Sequence, residues 1–479
     1  MGISTMRSTN PLTRTLASGP SGRLPNTWPA ATPRRSRNIQ QCGTSWRPTS
    51  RIWPSLGLHR SPGIASTFRS LRGPRTQWRR CLMRGRLWLI SVLVVLMLSS
   101  TYTAEAYIQD VLSGRQVTGQ LVRQAVQRHV EDLKRVGSPD FPYYFDESHA
   151  RRVIDFKQQL RHIKGEWANP RLHDTRIRLE PWQQFKDWVL FGWRRADGTR
   201  RFRKSYVEVA RKNGKTTDAA ATAVYVYMAD RPVEMGSEIY CVATKKDQAK
   251  IAWTDAKLMI ERHPVLASRT RTYKQNSTVI RHDDPAAVLT IWGKDSDTQD
   301  GFNPAFVVVD EAHAYPDNSM LEVIESGMGS RQQPLIYIIT TAGLDINSPV
   351  YQEERALAIQ VLERSLVPVP EDFFALIYTL DEGDDWTDPA VWIKSNPNLG
   401  ISVSHEYLEA RIQQGLQMPS RQNKIKTKNL NLWTQSETRW IGDEQWMNCD
   451  GVVNGEELEG RPCYVGLDLS ASQDITAYA

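Results

Sequence analysis

At 479 residues, 40% hydrophobic and 24% charged, the chain has room for roughly two to four domains and an ordinary globular composition, which excludes a fibrous or wholly disordered protein. The formal charge of +8 is unevenly placed: residues 1–100 hold 16 Arg and no Lys, Asp or Glu, which leaves 45 Lys+Arg against 53 Asp+Glu beyond them. The body is therefore mildly acidic, and any nucleic-acid contact in it is a local patch rather than a global field.

Residues 1–101 are rich in Arg, Ser, Pro and Gly and show no hydrophobic period before Leu87. They read as an unstructured basic leader outside the fold, with a nucleic-acid-binding arm as the alternative. "LWLISVLVVLMLSS" (Leu87–Ser100) follows Arg84 and Arg86 and has the pattern of a signal peptide. It lies far from the terminus, and a span needs about 20 apolar residues, so no membrane association is expected. The five Cys are scattered without a C-x-x-C pair, which argues against a disulfide framework or a zinc site.

Residues 102–174 read as an N-terminal helical region. Two short helices flank Gly114–Gly119, and "SHARRVIDFKQQLRHI" puts Val153, Phe156, Leu160 and Ile163 on one helical face. Residues 175–366 change texture. "RFRKSYVEVA", "SEIYCVA", "AAVLTIWG", "AFVVVDEAH" and "PLIYIITTAG" are short apolar runs ending in polar or Gly residues, and helical segments separate the first of them. That alternation predicts an α/β fold, a parallel sheet with flanking helices whose ligands bind at the carboxyl ends of the strands. Residues 367–460 read as a linker or lid. The stretch is acidic and turn-rich, then helical, with a basic cluster of Lys424, Lys426 and Lys428 that reads as a solvated helix face, a DNA contact being the alternative. Residues 461–479, "RPCYVGLDLSASQDITAYA" without its neighbours, open a strand-turn-strand unit.

Two motifs carry chemistry. "ARKNGKTT" (Ala210–Thr217) lies between a strand and a helix. A phosphate-binding loop needs inward backbone N–H groups, a glycine for close approach, a lysine for the β/γ-phosphates and a hydroxyl for Mg²⁺. Lys212, Asn213, Gly214, Lys215, Thr216 and Thr217 supply these, although Val209 stands where the usual first glycine falls. "FVVVDE" delivers two carboxylates at a strand end: Asp310 for Mg²⁺ and Glu311 to polarise the attacking water. His313 completes a literal D-E-A-H string and reads as a hydrogen-bonding residue rather than a metal ligand. The hydroxyls of Thr340 and Thr341 close the next strand, where they can sense hydrolysis. In "LEPWQQF", the Gln183 amide can read both edges of adenine, and Trp182 stacks or packs. Lys215 and Glu311 are the catalytic residues expected from the motifs themselves.

The order "LEPWQQF", "VARKNGKTT", "VATKKDQAKIAW", "QDGFNPAFVVVDEAHAYPD", "PLIYIITTAG" and "VGLDLSASQDITA" resembles the large terminase subunit of tailed bacteriophages, in the branch with an R-K-N-G-K loop. The resemblance runs from about Tyr102 to the last residue. It implies a P-loop fold of the RecA/ASCE-like class followed by the start of an RNase-H-like domain. It also implies an ATP- and Mg²⁺-dependent motor that moves double-stranded DNA into a procapsid. Implied partners are the portal protein, the small terminase subunit and further copies in a homo-oligomeric ring, in the cytoplasm of a bacterial host. By the same resemblance Arg211 contacts the nucleotide or couples its hydrolysis, and Arg331 is a further charge-stabilising candidate. Asp468, with Asp474 nearby, would be the first ligand of a second divalent-metal site in the nuclease domain. Because further carboxylates are expected from later strands, that site reads as truncated and inactive. The alternatives are a D-E-A-H helicase, which would carry a glycine-rich loop and a second motor domain, and a non-catalytic prophage remnant.

Overall fold

The structure, a computed structural model, describes residues 104–292, 303–435, and positions 448, 459–460, 462, 467–468 and 477–478. The leader, its apolar run and Asp474 lie outside the described residues.

The N-terminal region is helical. Helices α1 (Ala104–Leu112) and α2 (Gln120–Arg135) flank the Gly114–Gly119 turn. Strand β1 (Tyr143–Phe145) leads to α3 (Glu147–Gln159), which starts on Asp146, whose side chain accepts the N–H groups of Ser148 and His149. Such a cap satisfies two of the orphan donors at a helix start. Val153 and Leu160 are fully buried as the period requires, and Phe156 is half-buried. Helix α4 (Pro181–Gly192) begins with a reciprocal capping box between Glu180 and Gln183. Strand β2 (Trp193–Arg195) follows and pairs antiparallel with β1.

The central sheet has eight strands: β3 (Lys204–Glu208), β4 (Glu238–Val242), β5 (Thr270–Tyr273), β6 (Thr278–Arg281), β7 (Val288–Trp292), β8 (Pro304–Asp310), β9 (Leu335–Thr340) and β10 (Phe373–Ile377). Their spatial order is β10-β3-β9-β8-β4-β7-β6-β5. From β10 to β7 every pairing is parallel. Strands β8, β9 and β10 are buried along their whole length, which explains their unbroken apolar sequence. Each fully buried Val, Ile or Phe there contributes about 1.5–3 kcal/mol by leaving water. Helices α5 (Lys215–Met228) and α6 (Lys246–Glu261) pack on the sheet and on each other. The short α7 (Pro264–Ala267), then α8 (Ser319–Gly327) and α9 (Ala356–Glu363), complete the flanking layer.

Two features depart from the sequence-based expectation. The sheet is mixed, because β5 and β6 form an antiparallel hairpin beyond β7; their polar composition gives no buried-strand signal. The sheet also extends past residue 366. Strand β10 pairs with β3 through Phe373↔Lys204 to Ile377↔Glu208, a non-local pairing that no local pattern announces.

One buried cluster brings four charges together: Lys157, Lys186, Asp187 and Asp218. Lys157 of α3 donates to Asp187 Oδ2 (2.7 Å), Asp218 Oδ1 (2.6 Å) and Thr222 Oγ1 (3.0 Å). Lys186 of α4 donates to Asp218 Oδ2 (2.5 Å) and to the Tyr337 hydroxyl (2.8 Å), and lies 2.8 Å from Asp187 Oδ1. Burial opposes ionisation of Asp218, but the two ammonium groups override it and hold its carboxyl far below the usual range. The cluster ties α3 and α4 to the first turn of α5.

After β10 the chain forms α10 (Trp392–Ser395), α11 (His405–Gln417) and α12 (Pro419–Leu430). A small separate core of Leu380, Trp392, Leu408, Ile412 and Leu430 holds them. Pro419 at the first turn of α12 divides what the sequence suggests as one helical stretch. Strands β11 (Leu467–Asp468) and β12 (Ala477–Tyr478) pair antiparallel, with Asp468 opposite Ala477.

Candidate nucleotide site

The site forms where β3, β9 and β8 end side by side. Strand β9 is inserted between the strand that leads into the lysine loop and the strand that ends in the acids. The loop departs from β3 and re-enters as α5 at Gly214, which has φ +79°. An added Cβ would have space there, so glycine is needed for its backbone conformation. Lys212 (φ 73°) and Glu311 (φ 53°) are also left-handed although they carry side chains, the kind of strain that concentrates at functional sites. The first intrahelical bond of α5 is Asp218 N–H to the Gly214 carbonyl, 3.0 Å. The N–H groups of Lys215, Thr216 and Thr217 therefore lack helical acceptors and suit an anion.

The two motifs meet. Thr216 Oγ1 lies 3.4 Å from Asp310 Oδ2, while Asp310 Oδ1 accepts the Glu311 N–H at 2.9 Å. Lys215 is buried, and its ammonium donates to the carbonyls of Val209 (2.8 Å) and Ala210 (3.2 Å). Burial depresses its pKa to about 8 against the pull of Glu311 and Asp310. Burial, then repulsion by Glu311, raises Asp310 to about 6. Burial thus disfavours the charged form of both an acid and a lysine in one cleft. A threonine hydroxyl beside a carboxylate oxygen is an all-oxygen donor set that suits Mg²⁺.

Glu311 sits between two partners. Its Oε2 lies 3.8 Å from Arg211 Nη2 and 3.3 Å from His313 Nδ1. His313 also contacts Thr340 Oγ1 through Nδ1 (3.0 Å) and through its backbone N–H (3.1 Å), and burial lowers its pKa. His313 thus bridges the acidic pair to the end of β9, a link the sequence did not assign. Thr340 Oγ1 donates to the Thr341 carbonyl at 3.1 Å. The Thr341 hydroxyl is buried with no hydrogen-bond partner among the described residues, which leaves a polar atom for a ligand to satisfy.

Beside Gly214 and Thr217 opens a cavity of about 630 Å³, also lined by Gln183, Trp167, Ile177 and Asn398. Gln183 is therefore in the same place as the loop. Its carbonyl oxygen accepts the Glu180 N–H at 2.9 Å, which leaves the NH₂ group as the amide's free edge. Trp182 packs: its indole N–H donates to Asn398 Oδ1 at 2.6 Å, and its ring meets Tyr378 edge-on. Arg331 corrects the expectation for it. It donates to the carbonyls of Asn303 (2.6 and 2.8 Å) and Gly236 (2.8 Å), which precede β8 and β4. It is therefore at the opposite end of the strands from the acids.

A further buried carboxylate escaped sequence reasoning. Glu208, the last residue of β3, is wholly enclosed. It accepts from Tyr206 Oη (2.6 Å), Arg355 Nε (3.3 Å), Asn431 Nδ2 (3.2 Å) and Trp433 Nε1 (3.1 Å). Asn431 Oδ1 in turn accepts the Ala342 N–H at 2.7 Å, just past Thr341.

A strand–loop–helix unit, an acidic strand and one strand inserted between them give a fold of the P-loop, additional-strand class. Profiles of the terminase large subunit match over most of the described chain, the ATPase domain at residues 181–358 and the endonuclease domain at 369–479. The chain belongs to the terminase large-subunit family. Protein YmfN of Escherichia coli K12 is 40% identical over 182 residues, 38% of this chain and 39% of that protein. The large terminase subunit of Enterobacteria phage HK97 is 25% identical over 307 residues, 63% of this chain and 56% of that one. The crystal structure of the HK97 bacteriophage large terminase has the same fold, with a TM-score of 0.50 at 21% identity over 69% of this chain and 64% of that one. The chain thus spans less than two thirds of each of these relatives. The helicase reading of D-E-A-H gains nothing from these matches. The endonuclease match begins well before residue 461, and its candidate ligand Asp468 lies on β11. Among the described residues no helix is long and apolar enough to cross a membrane.

Proposed function

We infer that this chain is the large subunit of a DNA-packaging motor and hydrolyses ATP in the cleft between the lysine loop and the acidic strand. The observation that carries this reading is the meeting of Thr216 and Asp310 at 3.4 Å with Lys215 buried beside them. The N-terminus of α5 and the loop N–H groups would receive the β- and γ-phosphates, and Lys215 would leave the Val209 and Ala210 carbonyls to pair with them. Asp310 and Thr216 would hold Mg²⁺, which when bound neutralises phosphate charge. Glu311 would orient and polarise the attacking water, and Arg211 would pair with phosphate charge once drawn from Glu311. The Gln183 NH₂ group would meet the base in the adjoining cavity. Thr340 and Thr341 would report the state of the phosphate site through His313.

The resemblance supports double-stranded DNA as the translocated substrate, with a portal, a small subunit and a ring of copies as partners in a bacterial host cytoplasm. It also supports metal-dependent cleavage by the C-terminal region, with Asp468 as a ligand. Lys215→Ala is the direct test. It is expected to abolish ATP turnover with and without DNA, and unchanged turnover refutes the loop assignment.

A further inference from the structure

The phosphate loop is held by a segment that lies far away in sequence. Asn213 is fully buried. Its Nδ2 donates to the carbonyls of Ala210 (3.1 Å) and Arg211 (3.3 Å) and to Asn396 Oδ1 (3.0 Å). Its Oδ1 accepts the Asn398 N–H at 3.0 Å, and its carbonyl faces Asn398 Nδ2 at 3.4 Å. Ser402 Oγ donates to the carbonyl of left-handed Lys212 at 2.7 Å. In return the Ala210 N–H reaches the Ser395 carbonyl (3.4 Å), and the Arg211 N–H reaches the Lys428 carbonyl (3.0 Å). Each loop residue from Ala210 to Asn213 is thus bonded to the segment between α10 and the end of α12.

The two asparagines are themselves fixed. Asn396 Nδ2 donates to the Asn429 carbonyl at 2.8 Å and to Ser395 Oγ at 3.1 Å. Asn398 Oδ1 is held by the Trp182 indole. Asn398 also lines the cavity beside Gly214, so it touches both the loop and the space next to it.

We propose that Asn396 and Asn398 are positioning residues for nucleotide binding, which hold the lysine loop through Asn213 in the shape that receives a triphosphate. This rests on the reading above that the loop binds a nucleoside triphosphate. A glycine at the Val209 position would allow the loop to curl by its own backbone freedom. Here a buried amide with partners on both sides supplies the constraint instead. An unmet buried hydrogen-bonding group is costly, so the loop and the asparagines change shape together. A triphosphate that displaces the Lys215 ammonium from the Val209 and Ala210 carbonyls pulls on the same loop residues. The segment 395–402 therefore senses nucleotide and lies within the endonuclease match.

The test uses the full chain and Mg·ATPγS. Binding is measured by calorimetry and ATP turnover by steady-state kinetics, for Asn213→Ala, Asn396→Ala, Asn398→Ala, the Asn213→Ala/Asn396→Ala pair and Lys215→Ala. Asn396→Ala and Asn398→Ala are each expected to bind about tenfold more weakly and to raise KM by the same factor, with kcat within about twofold, and Asn213→Ala is expected to bind at least as weakly as either. The double variant is expected to be no weaker than its worse parent, because both changes remove one connection. Hydrogen exchange on the unmutated chain is the second measurement, independent of variant folding. Mg·ATPγS is expected to alter exchange at residues 395–402 as well as in the loop. If Asn396→Ala and Asn398→Ala bind within twofold of the parent while Lys215→Ala does not bind, the positioning role is overturned and the nucleotide reading stands. Additive losses in the double variant, or loop protection with no change at 395–402, overturn it equally. Normal binding by Lys215→Ala removes the nucleotide reading itself.

Discussion

Asp310→Asn is expected to stabilise the fold and to disable the site. Asp310 is buried, and its carboxyl is raised from 3.8 to about 6, first by burial and then by Glu311. The folded state therefore binds a proton that the unfolded chain has released between those two values. Stability falls as pH rises through that window, and above it the ionised Asp310 costs the fold about 3 kcal/mol, at about 1.4 kcal/mol per tenfold in proton affinity. Asparagine keeps the shape and cannot ionise. The variant should therefore gain up to about 3 kcal/mol at pH 7.5, less whatever its NH₂ group loses beside the Glu311 N–H, and the gain should vanish near pH 4. Urea unfolding at pH 4, 5, 6 and 7.5, with and without Mg·ATPγS, measures this. The parent should gain stability from Mg·ATPγS by mass action and the variant should not. A variant less stable than the parent at pH 7.5, or a gain that does not depend on pH, refutes the argument that the acid is held under strain for a cation.

Nucleotide affinity should follow Lys215. Burial brings this lysine down to about 8, so above that pH it must take up a proton to pair with phosphate. The Kd for Mg·ATPγS should rise by up to about tenfold per pH unit from 8 to 9.5, and a flat profile contradicts the assignment. Asp218→Asn leaves Lys157 and Lys186 with one buried carboxylate between them. A loss of about 3–5 kcal/mol is expected in urea unfolding, as for other half-dismantled buried ion pairs, and a loss below 1 kcal/mol counts against the cluster as the tie to α5. In Gly343→Ala the new Cβ would lie 2.6 Å from Trp433 Cζ3. Overpacking of this kind costs about 1–3 kcal/mol, and a neutral effect would show that Trp433 does not hold this contact.

The strand-end motifs were legible because chemistry and burial agree locally. "FVVVD" is buried at every position, so the sequence shows both a strand and the place where its acids emerge. The lysine loop was legible from its strand–loop–helix setting. What was not legible depends on distance. Asn213 meets partners that follow it by more than 180 residues, and a lone asparagine gives no sign of that. Strand β10 joins a sheet whose nearest member in space, β3, lies far back along the chain. Gln183 carries a helix cap as well as a cavity wall, and one amide in the sequence suggests only one duty. Arg331 misled because a guanidinium that gathers carbonyls looks, in sequence, like one that meets phosphate.

Glu208 gathers three stretches of chain onto one enclosed carboxylate: its own strand, the π-helical segment that carries Arg355, and the tail that carries Asn431 and Trp433. A fragment stopped at residue 366 would keep the lysine loop and the acidic strand end yet forfeit a sheet strand and two of that carboxylate's four donors. An excised fragment that keeps the ATPase-domain match should therefore be cut beyond Trp433, since the earlier boundary runs through a keystone.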